Sequence, residues 1–269
     1  VILSPVLNWL ITDYGWRSAY LITGISMFVL IVPMALFVIR LKPADKGLVP
    51  LGEIKNSATP SQLVDGLSQR EALKSVSFWA LCAAIVVGGV VVNGMIINLA
   101  PYLKDIGGTP QHAALLLSLG SAMVIIGKLL VGRLYDKLGT ITTLLIICGS
   151  GLVSFLFLMR GDLLIPGILY TIFTGFGATA VTVTPAYLTS SLFGEKEYSA
   201  KFGIVSLFSS LGAALTPIVS GAIYNINHSY GLLLNVLIVL SIVLFGLFVI
   251  AIKTKPKVNT TSDIEYSLD

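Results

Sequence analysis

Charge is what this sequence lacks. Asp, Glu, Lys and Arg make up 11% of its 269 residues, against about 25% in an ordinary soluble domain, too few to clothe a water-facing surface. The shortage is patterned: none of the four occurs in 18–39, 75–103, 106–127, 138–159, 163–194 or 202–252. A helix needs roughly 20 apolar residues to cross about 30 Å of hydrocarbon, so five of these tracts supply one span each. The last, interrupted by the polar run 225–230, supplies two. Strand-type alternation is missing, which excludes a transmembrane barrel. The only cysteines, Cys82 and Cys148, both fall inside predicted spans, so they read as small core residues and not as a disulfide framework. No carboxylate lies inside any span, so a proton-accepting Asp or Glu is not in this stretch. H-E-x-x-H, G-x-S-x-G and paired-cysteine patterns are also missing. The segment from Gly120 to Lys128 lacks phosphate-loop spacing and is followed by Leu129. Nothing points to an enzyme, and no metal or cofactor is expected.

The charges that are present follow topology. With loops taken alternately, one side collects Arg40, Lys42, Lys46, Lys55, Arg70, Lys74, Arg133, Lys137, Lys196, Lys201, Lys253, Lys255 and Lys257. The other side has Arg17, Lys104 and Arg160. By the positive-inside rule the first side is cytoplasmic. The net charge of +4 is therefore a matter of orientation, and a nucleic-acid partner is not expected. Lys128 alone stands inside a span.

The opening VILSPVLNWLI lacks the basic start and cleavage site of a signal peptide. Its roughly 16 Å of helix cannot cross a bilayer, so it is expected to be the end of a span that begins upstream. A turn at 12–17 and a span at 18–39 follow, making 1–40 the end of a first bundle. Residues 41–74, with Pro43, Gly47, Pro50, Gly52, Pro60 and Gly66, read as a cytoplasmic linker. Six spans are predicted at 75–101, 112–131, 141–159, 164–190, 203–224 and 231–252. Short connections make neighbours antiparallel. A polar tail, 253–269, closes the chain on the cytoplasmic side.

The strongest local pattern is GKLLVGRLYDKLG, 127–139. It resembles the G-x-L-x-D-R-x-G loop of the major facilitator superfamily, found between helices 2–3 and 8–9. Gly132, Leu134, Asp136, Lys137 and Gly139 match, and Arg133 holds a commonly basic place. Physically, glycines allow close helix approach and turning, Asp136 suits the positive N-terminal end of a neighbouring helix, and the cations hold the cytoplasmic face. The runs 14–24, 40–53, 99–110 and 201–225 are similar to oxalate/formate antiporter-like and monocarboxylate-type members.

The resemblance implies an all-α membrane protein, a partial major facilitator bundle running from the end of helix 5 through helix 12. Helices 1–4 would precede it in the same chain. It implies a secondary transporter working by alternating access in a bacterial inner membrane, with lipid as its surroundings, and a monomer. Its site would lie between two six-helix halves. The substrate class implied is a small organic anion, a monocarboxylate, moved by antiport or proton symport. A drug or sugar carrier with a structural Lys128 is the alternative, and a membrane-embedded enzyme or sensor a remote one.

Lys128 is the main site candidate. An ionisable residue within a membrane helix is a functional hypothesis by default, and the family places a substrate-pairing cation at the matching position of helix 8. Snorkelling toward the cytoplasm is the alternative, but helical side chains lean toward the N-terminus, here away from that face. Family oxalate carriers have a second cation in helix 11. The matching region from Ser206 to Ser210 has none, which favours a monoanion. Asn93 and Asn98 could line a cavity or bond to adjacent helices. Tyr170 and Thr174 share a helix face by i, i+4 spacing. Ser206, Ser209 and Ser210 could line a cavity or simply allow close packing, and Thr179, Thr182 and Thr184 could bond backbone carbonyls. Pro185 and Pro217 break the backbone ladder. His112 and His228, at external ends, are expected to be solvated.

Overall fold

A computed structural model describes residues 3–38 and 66–256. The linker up to residue 65, including all of the resembling run 40–53, and the tail beyond 256 lie outside the described residues. The chain divides into two units, 1–62 and 63–269, taken separately below. Among the described residues seven helices are long and apolar enough to cross a membrane, as the uncharged tracts predict.

In the first unit a helix, α1 (Leu3–Pro33), continues into a π-helical turn at Met34–Val38. It is not one rod. Gly15 sits at φ 76°, ψ 159°, a conformation that residues with a Cβ avoid, and it breaks the helix inside the turn predicted at 12–17.

The second unit opens with a short helix, α2 (Gln69–Leu73), within the segment read as linker from sequence. Ser68 and Glu71 form a reciprocal capping box: the Ser68 hydroxyl accepts from the Glu71 N–H, and Glu71 accepts from the Ser68 N–H at 2.8 Å. The long helices are α3 (Val76–Asp105), α4 (Pro110–Leu138) and α5 (Thr140–Leu158). Next comes a span in three pieces, α6 (Leu164–Gly177), α7 (Thr179–Thr182) and α8 (Thr184–Phe193), and then α9 (Tyr198–Asn227) and α10 (Gly231–Lys253). The sequence predicted one span over 164–190; the structure interrupts it at Ala178 and Val183. Pro185 supplies no N–H to the preceding turn, which helps to explain the second break. Ser75 and Thr109 cap α3 and α4 by accepting from Phe78 N and His112 N. Gly139, at φ 77°, makes the turn between α4 and α5.

Over half of the apolar stretch of α3 is buried, whereas α4 and α9 bury less than a fifth of theirs. α3 is thus the inner helix, packed against α9 and α10, while α6 lies between α4 and α5. One apolar cluster fills the Ser75 end around Phe78, Ile85, Tyr135, Phe193 and Phe248. A second fills the Lys104 end around Met95, Leu103, Leu116, Phe155 and Leu237. Lipid is as apolar as these side chains, so close van der Waals fit holds such helices together more than the hydrophobic effect does. Glycine permits it: Gly127 of α4 lies against the Gly175 carbonyl of α6, and Gly89 of α3 faces Gly212 of α9.

The Glu71 carboxyl is held below its ordinary range, first by the Ser68 N–H and then by the Ser68 hydroxyl. A lowered pKa means that the cap is fully present above the unfolded-state carboxylate value and is lost as pH falls through the folded one. The Trp79 indole N–H donates to Leu73 O at 2.8 Å and so reports on α2. With every other tryptophan of the full-length protein replaced by Phe, Trp79 emission is expected to shift as pH falls below the ordinary carboxylate range. The Glu71→Gln variant should show no such transition.

Candidate functional site

Spacing on α4 decides where Lys128 stands. Leu117, Ser121, Val124 and Lys128 fall on one stripe by i, i+4, i+7 and i+11. The first three line a groove with Ile96 and Leu99 of α3 and Tyr170 and Thr174 of α6. Gly127, next to Lys128, turns inward against α6, so Lys128 is carried to the exposed side of the unit. Within this unit Lys128 is exposed and not packed among its helices. The uncharged tract places Lys128 within a span, but the inward face belongs to its glycine neighbour. Lys128 has no hydrogen-bond or ion-pair partner among the described residues.

Tyr170 is buried, and the Thr174 Oγ1 is enclosed with no hydrogen-bond partner among the described residues. Both also line an interior cavity with Met95, Cys148, Ser154 and Ser241, where the two apolar clusters meet. The pair therefore forms the wall between groove and interior. Tyr170 and Thr174 are thus brought together in one wall, and Lys128 is exposed one turn beyond the α4 residues that line the groove.

The other candidates are not gathered there. Asn93 donates to Gly89 O at 2.9 Å and Asn98 to Gly94 O at 2.7 Å. Each thus bonds its own helix one turn back, not a neighbouring helix. Ser206, Ser209 and Ser210 are on α9, which packs on α3 and α8, and Ser210 donates to Ser206 O at 3.2 Å. Thr179 and Thr182 bond the Phe176 and Ala178 carbonyls. The Thr184 hydroxyl instead meets the Tyr135 hydroxyl at 2.8 Å, and Tyr135 stacks on Tyr187 at 4.0 Å, joining α4 to α8.

In the 127–139 loop, Arg133, Asp136 and Lys137 are exposed, and Asp136 has no partner among the described residues. Gly139 has the positive φ that the turn requires. Gly132, expected to allow close helix approach, faces open space. The close approach belongs to Gly127, five residues earlier. His112 is also displaced from its expected solvated state: its Nε2 is enclosed, without a partner among the described residues, beside Gly167 of α6. His228 is exposed and ends α9 in the left-handed region, at φ 48°.

Sequence reasoning missed Lys201. Counted among loop charges, it is fully buried in the first turn of α9. Its ammonium donates to Phe193 O at 2.8 Å, Gly194 O at 3.0 Å and Leu67 O at 3.1 Å. All three N–H groups are used, and the C-terminal end of α8 is a favourable place for positive charge. Leu67 N also donates to Phe193 O at 2.9 Å, and Gln69 N donates to Glu197 Oε2 at 2.7 Å. The segment entering α2 is thereby strapped to the α8–α9 connection. The one sequence hint is the place of Lys201, seven residues after Gly194 and directly before an uncharged tract.

Residues 1–172 and 163–265 match the family model described as Major Facilitator Superfamily. Monocarboxylate transporter 12-B of Danio rerio is 28% identical over 255 residues, covering 85% of this chain and 53% of that protein. The uncharacterized MFS-type transporter YcxA of Bacillus subtilis (strain 168) is 25% identical, with 89% and 57% covered. Monocarboxylate transporter 13 of Bos taurus is 22% identical, with 84% and 50% covered. The chain spans about half the length of the curated relatives it matches.

Proposed function

The chain belongs to the Major Facilitator Superfamily, and on that premise we propose that it serves a secondary transporter moving a small organic anion, a monocarboxylate, by alternating access. Its coupling in this reading is exchange for a second anion or symport with a proton. The observation that carries the reading is Lys128: a cation without a partner among the described residues, one turn along α4 from the residues that line the α3–α4–α6 groove. Lys serves as a point charge toward a carboxylate, and a hydrogen bond to a charged group contributes about 1.5–3 kcal/mol. The names of two of the relatives, monocarboxylate transporters 12-B and 13, favour the same substrate class. In this reading the Ser75 end, with the strap and the tail, faces the cytoplasm, because Arg70, Lys74, Arg133, Lys137, Lys196, Lys253 and Lys255 lie there.

The test is anion uptake by the full-length protein in proteoliposomes. Lys128→Ala is expected to reduce uptake by about tenfold or more, and Lys128→Arg to retain a substantial part of it. Undiminished anion transport by the alanine variant would overturn the assignment and leave Lys128 a structural residue of a drug or sugar carrier.

A further inference from the structure

We infer that a crevice between α5 and α10, halfway through the membrane, holds the end of a phospholipid acyl chain. This site is independent of the solute that the protein carries. Leu145 and Gly149 of α5 and Ile242 and Phe245 of α10 stand around the crevice, and the buried Cys148 and Ser241 form its floor. It is open because Gly149 has no side chain: a methyl there would meet nothing within 4 Å. Cys148 and Ser241 also line the interior cavity that Tyr170 and Thr174 share. The chain end therefore rests one layer of side chains from that cavity.

Depth and polarity select the occupant. Gly149 is the central residue of α5, nine residues from Thr140 and nine from Leu158. Ile242 is the central residue of α10, eleven from Gly231 and eleven from Lys253, or about 16 Å of helix each way. In hydrocarbon about 30 Å thick, both stand where lipid chain ends reach and headgroups do not. From Leu145 to Leu156 of α5 and from Val239 to Ile250 of α10, every exposed residue is leucine, isoleucine, valine or glycine. The exposed faces of α4 and α9 differ, carrying Ser118, Ser121, Lys128 and Ser210 within their spans. Polar side chains inside a membrane turn toward protein or a water-filled cavity, so the side without them is the one that lipid covers. The floor is equally undemanding: the Ser241 hydroxyl donates to Leu237 O at 2.8 Å, and a thiol such as that of Cys148 is a weak hydrogen-bonding group. The space, about 190 Å³, admits a chain end but not a helix, which is about 10 Å across. Within lipid the gain is van der Waals contact, which an empty notch forfeits.

The experiment uses the full-length protein in vesicles of dioleoylphosphatidylcholine, doped with a phosphatidylcholine that carries a photoactivatable diazirine at the end of one chain. After illumination, adducts are located by peptide mass spectrometry. They are expected to concentrate at 145–149 and 241–245, several-fold above Val239, which is exposed on α10 at nearly the same depth. Gly149→Phe places a ring in the notch, and it should abolish the crevice adducts while leaving those at Val239. Gly149→Leu is the smaller filling, to be used if the phenylalanine variant does not fold. Adducts spread evenly along the exposed faces of α5 and α10, or undiminished in a folded, filled variant, overturn the site. So does a crevice free of adducts whose rim cross-links to a second copy of the chain, since protein and not lipid would then cover it.

Discussion

Lys201→Met should destabilise the full-length protein by about 2–4 kcal/mol, the larger share of the stability that one side chain usually commands. Methionine keeps most of the volume but donates nothing. The Phe193 carbonyl would still accept from Leu67 N, whereas the Leu67 and Gly194 carbonyls would lose the bonds that the ammonium supplies. A buried carbonyl left without its donor costs about 1–3 kcal/mol. Relief from holding a charge away from water offsets part of that loss. Lys255→Met is the control: among the described residues its ammonium bonds Ser191 O alone, at 2.8 Å, from an exposed position, and its loss should cost less than about 0.5 kcal/mol. Thermal unfolding in detergent measures both. Amide exchange should also quicken in peptides spanning 67–74 in the Lys201 variant. Wild-type stability and unchanged exchange there would show that the ammonium does not hold the strap.

Gly127→Ala and Gly132→Ala, two substitutions on one helix, should differ sharply. A methyl on Gly127 would run into the Gly175 carbonyl, with the Gly175 carbonyl carbon at 2.9 Å. Neither atom belongs to a flexible side chain that could swing aside, so α4 and α6 must separate. Overpacking of this kind costs about 1–3 kcal/mol. A methyl on Gly132 meets nothing within 4 Å, and alanine is a better helix former by about 1 kcal/mol. Unfolding midpoints in detergent should therefore fall for the first variant and hold or rise for the second. A fall in transport by Gly132→Ala without a fall in stability would mark that glycine as a moving part. Equal midpoints for the two variants would contradict the packing described.

What the sequence made legible here are the properties that lipid imposes on a chain. Uncharged tracts mark spans because hydrocarbon rejects charge wherever on a helix it falls, and the positions of all seven apolar helices follow from that alone. The facing of a helix does not. Lys128 and Gly127 are neighbours in one tract, and only packing against Gly175 decides that the glycine turns inward. Gly127 and Gly175 are also 48 residues apart in the sequence, so neither announces its partner. Lys201 escaped for a different reason. It flanks an apolar tract, which reads as a loop charge, yet α9 begins at Tyr198, and that places Lys201 within reach of the carbonyls at the foot of α8. The pairing of Tyr170 with Thr174 was readable from spacing, whereas the breaks at Ala178 and Val183 had only Pro185 to suggest them.

The ammonium of Lys201 holds Leu67 and Phe193 at once, so the incoming chain is moored to the foot of α8 before it enters α3. Tension arriving from upstream of Leu67 would thus load first onto the lowest piece of the segmented span, below both of its interruptions. Tyr170 and Thr174 lie on the first piece, α6, and the mooring at the end of the last, α8, so both interruptions of the span stand between them.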